Sequence, residues 1–330
     1  MTTLGNLLLF ASAALFACSL HAAEPAKYKA PRNEYGQPDL RGVWNYSSDV
    51  PLQRPKDTPD KLFRTREDID KANAARQKQF EQLAQQGVGF HNDFWLDFES
   101  HVEDLRTSLL VYPANGRLPK LVDGVTKVGG FAAVFKDIPG TRPVRFGLGG
   151  IGKDGPEDRG LNERCILSDI GPPLAPGFDN NYLQIVQGRD RVVILNEQIH
   201  DARTVFLDGR PQPDAELRGW IGYSRGSWQG DTLVIETRNF NGLAQSFDSA
   251  GTSYDKVVTE RLTRTAADTL EYEATVVDPK TFTDRFTLVF PMAKTDKRLY
   301  EFACHEGNYS MELILGGARK EEADALQAKQ

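Results

Sequence analysis

The sequence predicts a mainly β protein, built as an antiparallel β-barrel or a β-sandwich, and three observations carry that expectation. Between Asn181 and Cys304 short runs of alternating apolar and polar residues follow one another, as in Leu270, Tyr272, Ala274 and Val276 against Glu271, Glu273 and Thr275. Polar turns such as Gln229-Gly230-Asp231 and Ala266-Ala267-Asp268 separate these runs. The gaps are too short for the crossovers that parallel strands need, so sequential runs are expected to pair antiparallel.

The first element is a targeting segment. Leu7–Leu20 is apolar and His21-Ala22-Ala23 supplies small residues, so residues 1–23 read as a signal peptide, although Met1–Asn6 carries no Lys or Arg. The stretch is short for a membrane span. The expected location is periplasmic or secreted, with Cys18 as a lipid-attachment cysteine the minor alternative. The formal charge of −6 at pH 7 argues against a nucleic-acid surface. No second apolar span is present further along.

Residues 24–60, rich in Pro and polar side chains, read as an extended arm, and 61–330 as one β-rich domain. A surface helix is expected over about 66–86, with Thr65 as its cap, Glu67 and Asp68 in its first turn and Gly87 beyond it. Residues 87–180 read as irregular, with short strand candidates at 107–111 and 131–135. Gly147–Gly152 matches G-x-G-x-x-G, but Lys153–Gly160 cannot supply the helix that a dinucleotide site requires, so it reads as a loop.

Strand candidates in the β region are 182–186, 192–197, 203–207, 220–223, 232–240, 256–264, 269–277, 281–290 and 299–304. Ser224-Arg225-Gly226-Ser227 reads as a hairpin turn between two of them. Ser310 is placed to cap a C-terminal helix carrying Met311, Leu313 and Ile314.

Once a signal peptide is removed, Cys165 and Cys304 remain, and export makes a disulfide between them the economical expectation. It closes a loop of about 140 residues, which on the chain-entropy model stabilises by on the order of 4–5 kcal/mol. The alternative is Cys304 as a free nucleophile, but its neighbour His305 points to the opposite face of a strand.

Candidate chemistry lies in three groups. In Asn196–Arg203, Glu197 shares a strand face with Val193 and Leu195, so an inward carboxylate is expected, serving as general acid or base or paired with Arg203. In Glu301–Tyr309, His305 and Glu306 stand beside Asn308 and Tyr309, residues equally suited to capping the following helix. In His91–Phe98, aromatics alternate with acids, and Asn92 and Trp95 are candidates for a pocket wall, with Arg106 a nearby cation for an anionic group. The expected catalytic set is therefore His305, His200, Glu197 and Glu306, with Asn92, Trp95, Arg106, Arg203, Asn308 and Tyr309 binding substrate. No zinc spacing, calcium loop or nucleophile elbow is present, so no metal or cofactor is expected.

Two resemblances add to this reading. Pro38-Asp-Leu-Arg-Gly-Val-Trp44 resembles the Gly-x-Trp opening of a lipocalin-type barrel, where a Trp closes one end. The longer phrases NDFWLDFES (92–100), RTSLLVYPANGRLP (106–119), ERCI (163–166), VVILNEQIHDARTVFLDGRPQP (192–213), WIGYSRGSWQGDTLVIETRNF (220–240) and YEFACHEGNYSMELILGGAR (300–319) resemble a large group of exported bacterial proteins with no settled activity. The resemblance runs from about residue 38 to 320 and implies that the candidate residues above stand at emphasised positions. This chain departs from it at Gln212, where the group often has His, and at Tyr223, where it often has an acid. The expected function is acid–base hydrolysis or elimination on a small organic compound, with a non-catalytic ligand carrier as the alternative and an envelope structural protein third.

Overall fold

A computed structural model of the chain describes residues 28–85, 100–125, 127, 142, 144, 149–167, 171–177, 179–244, 247 and 250–329. The alternation read from the sequence becomes ten strands: β1 (Gly42–Asn45), β2 (Leu110–Tyr112), β3 (Tyr182–Gln187), β4 (Arg191–Asn196), β5 (Ala202–Phe206), β6 (Tyr223–Gln229), β7 (Thr232–Arg238), β8 (Val257–Arg264), β9 (Thr269–Val277) and β10 (Phe286–Thr295). Among the described residues two α-helices complete the set, α1 (Arg66–Gln85) and α2 (Tyr309–Gln327).

The strands run in the order β1-β3-β4-β5-β6-β7-β8-β9-β10, and β1 also pairs with β10, closing a barrel of nine strands. This decides for the barrel over the sandwich. Closure leaves none of these strands as a free edge, the open ladder that would otherwise invite aggregation. The tenth strand, β2, pairs with β10 at Thr287 and Leu288, beyond the stretch that β1 occupies. The segment 24–60 is therefore more than an arm, because its β1 is a barrel strand.

Alternation sets the packing. Along β8 and β9 every second side chain is buried, and Val258, Leu262, Leu270, Ala274 and Val276 join Trp44, Phe286 and Phe290 in one core. Each Val, Leu or Phe side chain so removed from water is worth about 1.5–3 kcal/mol.

Four sequence expectations are corrected. Ser224–Ser227 is no hairpin turn but the middle of β6, which pairs with β7 over seven residues. The segment 299–304 forms no strand, because closure by β1 and β10 has already used the edges it would join. β5 and β6 pair in parallel through Val205↔Ser224 and Phe206↔Arg225, so not every sequential pair is antiparallel. The long 207–222 connection permits this by carrying the chain back along the barrel before β6 begins. The helix cap is Asn308, whose side chain accepts from the Met311 amide at 3.4 Å, and not Ser310.

The two ends of the barrel differ. At one end the chain reverses in tight turns between β3 and β4, β6 and β7, and β8 and β9. There the Trp44 indole donates to the Leu40 carbonyl at 2.9 Å, and the Arg264 guanidinium and Lys294 ammonium each lie 5.9 Å from its ring. Arg264 also donates to the Asp39 carbonyl at 3.0 Å, tying the entering chain across this end. The connections between β1 and β2, β2 and β3, β7 and β8, and β9 and β10 leave from and return to the other end.

Helix α1 begins as expected: the Thr65 hydroxyl accepts from the Asp68 amide at 3.2 Å, and the Asp68 carboxylate accepts from the Thr65 amide at 2.6 Å. Part of Gly147–Gly152 and the strand candidate at 131–135 lie outside the described residues. After the glycines the chain makes only a short 3-10 turn, Pro156–Asp158, in place of the helix a dinucleotide site would need.

Candidate functional site

The interior of the barrel is not uniformly apolar. On β5 alternation turns Arg203 inward beside Val205, and on β8 it turns Glu260 inward between Val258 and Leu262. Two buried charges with no partner are costly, and here they meet. Arg203 Nη2 donates to Glu260 Oε1 at 2.8 Å and Nη1 binds the other oxygen, giving a two-pronged ion pair with both residues buried. Tyr272 on β9 donates its hydroxyl to Glu260 Oε1 at 2.8 Å and accepts from the Leu174 amide at 2.8 Å. Arg203 Nη1 also reaches Thr237 Oγ1 at 3.3 Å and Ser224 Oγ at 3.4 Å, and those hydroxyls lie 2.8 Å apart.

The network spans five consecutive strands, β5 to β9. It braces the seam between β5 and β6, where only two residue pairs hold the strands together. Gly226 belongs to the same seam: a Cβ there would stand 2.8 Å from Val205 Cγ1 and 3.2 Å from the Val234 carbonyl oxygen. Electrostatics follow the geometry. Burial draws the Arg203 pKa down, but the Glu260 charge and hydrogen bonds outweigh it and leave it raised. Burial, then the Glu260 charge, pushes the Tyr272 phenol well above its ordinary value.

Lys256 stands one residue before β8 in the same inward register. Burial lowers its pKa to about 8, against the charges of Asp278 and Glu260 that favour the ammonium. Its Nζ lies 4.4 Å from the centre of the Phe240 ring. Tyr46, also fully buried, has its phenol pKa raised by burial and then by the charges of Glu197 and Asp179.

The residues expected from the sequence take separate places. Glu197 is buried, but by a different route from the one expected. On β4 the buried side chains are Val192, Ile194 and Asn196, so Val193 and Leu195 face outward and Glu197 lies past the strand, opening the 3-10 turn Gln198–His200. Its partner is not Arg203, which belongs to Glu260. Glu197 Oε1 accepts from the Tyr300 amide at 3.1 Å and Oε2 from Asn180 Nδ2 at 3.4 Å. The turn of His200 and the segment leading to His305 are thus joined through a backbone amide. His200, His305, Glu306 and Tyr309 themselves are exposed.

Cys165 and Cys304, 139 positions apart in sequence, are bonded as a disulfide, with Cα atoms 5.8 Å apart. Asn308 reinforces this link by donating to the Glu163 carbonyl at 2.7 Å while it caps α2. Arg106 is held by Asp104, whose Oδ1 accepts from its Nε at 2.8 Å, so its charge is already met. Asn92 and Trp95 lie outside the described residues. Among the described residues no cluster of three or more His, Cys, Asp or Glu is arranged to hold a metal, and no helix is long and apolar enough to cross a membrane.

Glu260, Tyr272, Lys256, Ser224 and Thr237 were not among the sequence candidates. The signal for Glu260 was present: a carboxylate between Val258 and Leu262 on a strictly alternating strand is the inward-facing pattern sought at Glu197.

No family model matches this chain, and neither does any curated protein or solved structure.

Proposed function

We propose that this protein is an exported, non-catalytic binding protein that takes a small organic ligand at the loop end of its barrel. One observation carries the reading. The barrel is closed and three tight turns meet at the Trp44 end, while four longer connections leave from and return to the other end, beside inward ionisable residues. Barrels bind small molecules at such mouths because the strands fix the wall and the loops shape the entrance. The Cys165–Cys304 bond supports an oxidising compartment, in keeping with the apolar N-terminal segment. Membership of the exported bacterial group whose phrases the chain resembles is part of the same proposal.

The test is native mass spectrometry of protein recovered from an exported fraction, followed by thermal-shift screening of small organic compounds. A ligand that binds the folded state raises Tm in proportion to the logarithm of its concentration over Kd. Substitutions at the loop end should weaken that ligand, and Asp231→Ala at the tight end should not. If no compound shifts the transition and nothing co-purifies, the reading fails.

A second reading, acid–base hydrolysis or elimination, is favoured by one contact. Glu197 anchors the backbone at Tyr300 and so ties the His305 and Glu306 segment to the turn of His200. Here His305 is the base and a carboxylate orients it. His305→Ala and His200→Ala would each lower turnover of a substrate found by screening aromatic, ester and sugar pools. Turnover unchanged in both variants rejects this reading.

A further inference from the structure

Lys256 is a buried ionisable group that lies outside the Arg203–Glu260 network. It stands in the inward register of Val258 and Glu260, at the barrel end where the long connections gather, and only 6% of its surface is exposed. Among the described residues its Nζ makes no hydrogen bond or ion pair. Removal of most of the side chain from water penalises the ammonium, so this position favours the neutral amine more than a surface lysine does. The lowering of its pKa to about 8 has the same cause. A neutral lysine amine is a nucleophile.

The groups that face it decide what it takes. The charges acting on it are Asp278 and Glu260, and both are acids; Glu260 is already paired with Arg203, and Asp278 accepts from the Ser253 amide at 3.1 Å. A carboxylate ligand would meet these acids, whereas a neutral carbonyl would not. The Phe240 ring, 4.4 Å away, offers an apolar face that can also attract a cation.

We propose that Lys256 captures an aldehyde or unhindered ketone with an apolar body as a covalent imine. This rests on the binding reading above. The Nζ lone pair attacks the carbonyl carbon while the C=O π pair moves to oxygen, which takes up a proton. The attacking nitrogen releases one proton in that step, matching the one oxygen gains, and the carbinolamine then expels its hydroxyl with the second nitrogen proton as one water, leaving C=N. No oxidant or reductant takes part. A proton kept on the imine nitrogen makes it a cation, and Asp278 and Glu260 are placed to stabilise that charge.

The test uses the full chain with octanal and benzaldehyde as probes. Cyanoborohydride is added to fix the imine as a secondary amine, and the adducts are mapped by digestion and mass spectrometry. At pH 7.4 the Lys256 adduct should form on the order of tenfold faster than those at the exposed Lys280 and Lys320, because burial disfavours the ammonium form of Lys256. The rate at Lys256 should rise with pH around a midpoint of about 8. Lys256→Arg should lose that adduct and keep its circular dichroism and disulfide, and the wild-type map decides even where the variant misfolds. Labelling of exposed lysines with Lys256 unmodified overturns the proposal. Native mass spectrometry without reductant separates the two readings: a retained ligand with Lys256 unlabelled overturns the imine alone, and no ligand with no Lys256 adduct overturns both.

Discussion

Arg203 on β5 and Glu260 on β8 form a two-pronged ion pair inside the barrel, with Nη2 2.8 Å from Oε1 and both side chains buried. The pair reaches across the two strands between them and is completed by Tyr272, Ser224 and Thr237. Its value to the fold is greatest at the short parallel seam between β5 and β6, where the backbone ladder is weakest.

Removing one partner of that pair strands the other. Glu260→Ala should destabilise the protein by about 3–5 kcal/mol, because an uncompensated guanidinium is left in the core. The double variant Arg203→Met with Glu260→Leu should recover most of that loss. Urea unfolding followed by circular dichroism checks both, and equal losses in the single and double variants would contradict the argument.

Gly226 should not tolerate a side chain. A Cβ would press on Val205 at 2.8 Å and on the Val234 carbonyl oxygen at 3.2 Å, so Gly226→Ala should cost about 1–3 kcal/mol by overpacking the β5–β6 seam. Gly230→Ala lies in the adjacent turn, where a Cβ meets nothing within 4 Å, but its φ of +62° makes it a strained control. The comparison of midpoints in urea separates crowding from backbone strain.

Reduction of the Cys165–Cys304 bond should lower stability by about 4–5 kcal/mol, since it releases a loop whose ends are 139 positions apart. Unfolding curves with and without dithiothreitol, and the Cys304→Ser variant, give the number. Little change on reduction would mean that the unfolded chain retains structure in this loop.

Stability should depend on pH through Lys256. Its folded-state pKa of about 8 lies below the ordinary 10.5, so the native protein binds fewer protons than the unfolded chain between these values. Stability from this group therefore rises with pH across that window, and its burial weighs most heavily below pH 8. Lys256→Met removes the effect and should gain up to about 3 kcal/mol over wild type near pH 7. That advantage should shrink toward pH 9.5, as measured by urea midpoints at each pH, and a constant difference would contradict the assignment.

The capping role of Asn308 also predicts a measurable loss. Asn308→Ala removes the bond to Met311 and the bond to the Glu163 carbonyl, and should cost about 1–2 kcal/mol. Asn308→Asp keeps the cap but not the donated bond, so it should fall between.

Where one face of a strand is apolar and the other polar, the sequence was sufficient. The alternation of Leu270, Tyr272, Ala274 and Val276 specified the register of β9, and the strength of that pattern is why a β domain was legible. The capping signals at Thr65 and Asp68 were legible because they act over three residues. With Cys18 set aside in the apolar N-terminal segment, two cysteines remained, and that count was enough to pair Cys165 with Cys304.

Other features were settled only by tertiary structure. Val192, Val193, Ile194 and Leu195 are all apolar, so period two does not say which face turns inward, and Glu197 was assigned to the wrong one. Ser224–Ser227 has a turn's composition, yet β7 pairs with it along its length and makes it a strand. Tyr300–Cys304 alternates like a strand, but closure of β1 onto β10 leaves it no edge to join. The sequence by itself determined most of the barrel strands, the cysteine pairing and the Thr65 cap of α1, because these depend on local periodicity, local hydrogen bonds and residue count. The tertiary structure alone decided that the sheet closes, that Arg203 belongs to Glu260 57 positions away, and that Lys256 is buried beside them. Those outcomes depend on which distant strands become neighbours, and no local pattern carries that information.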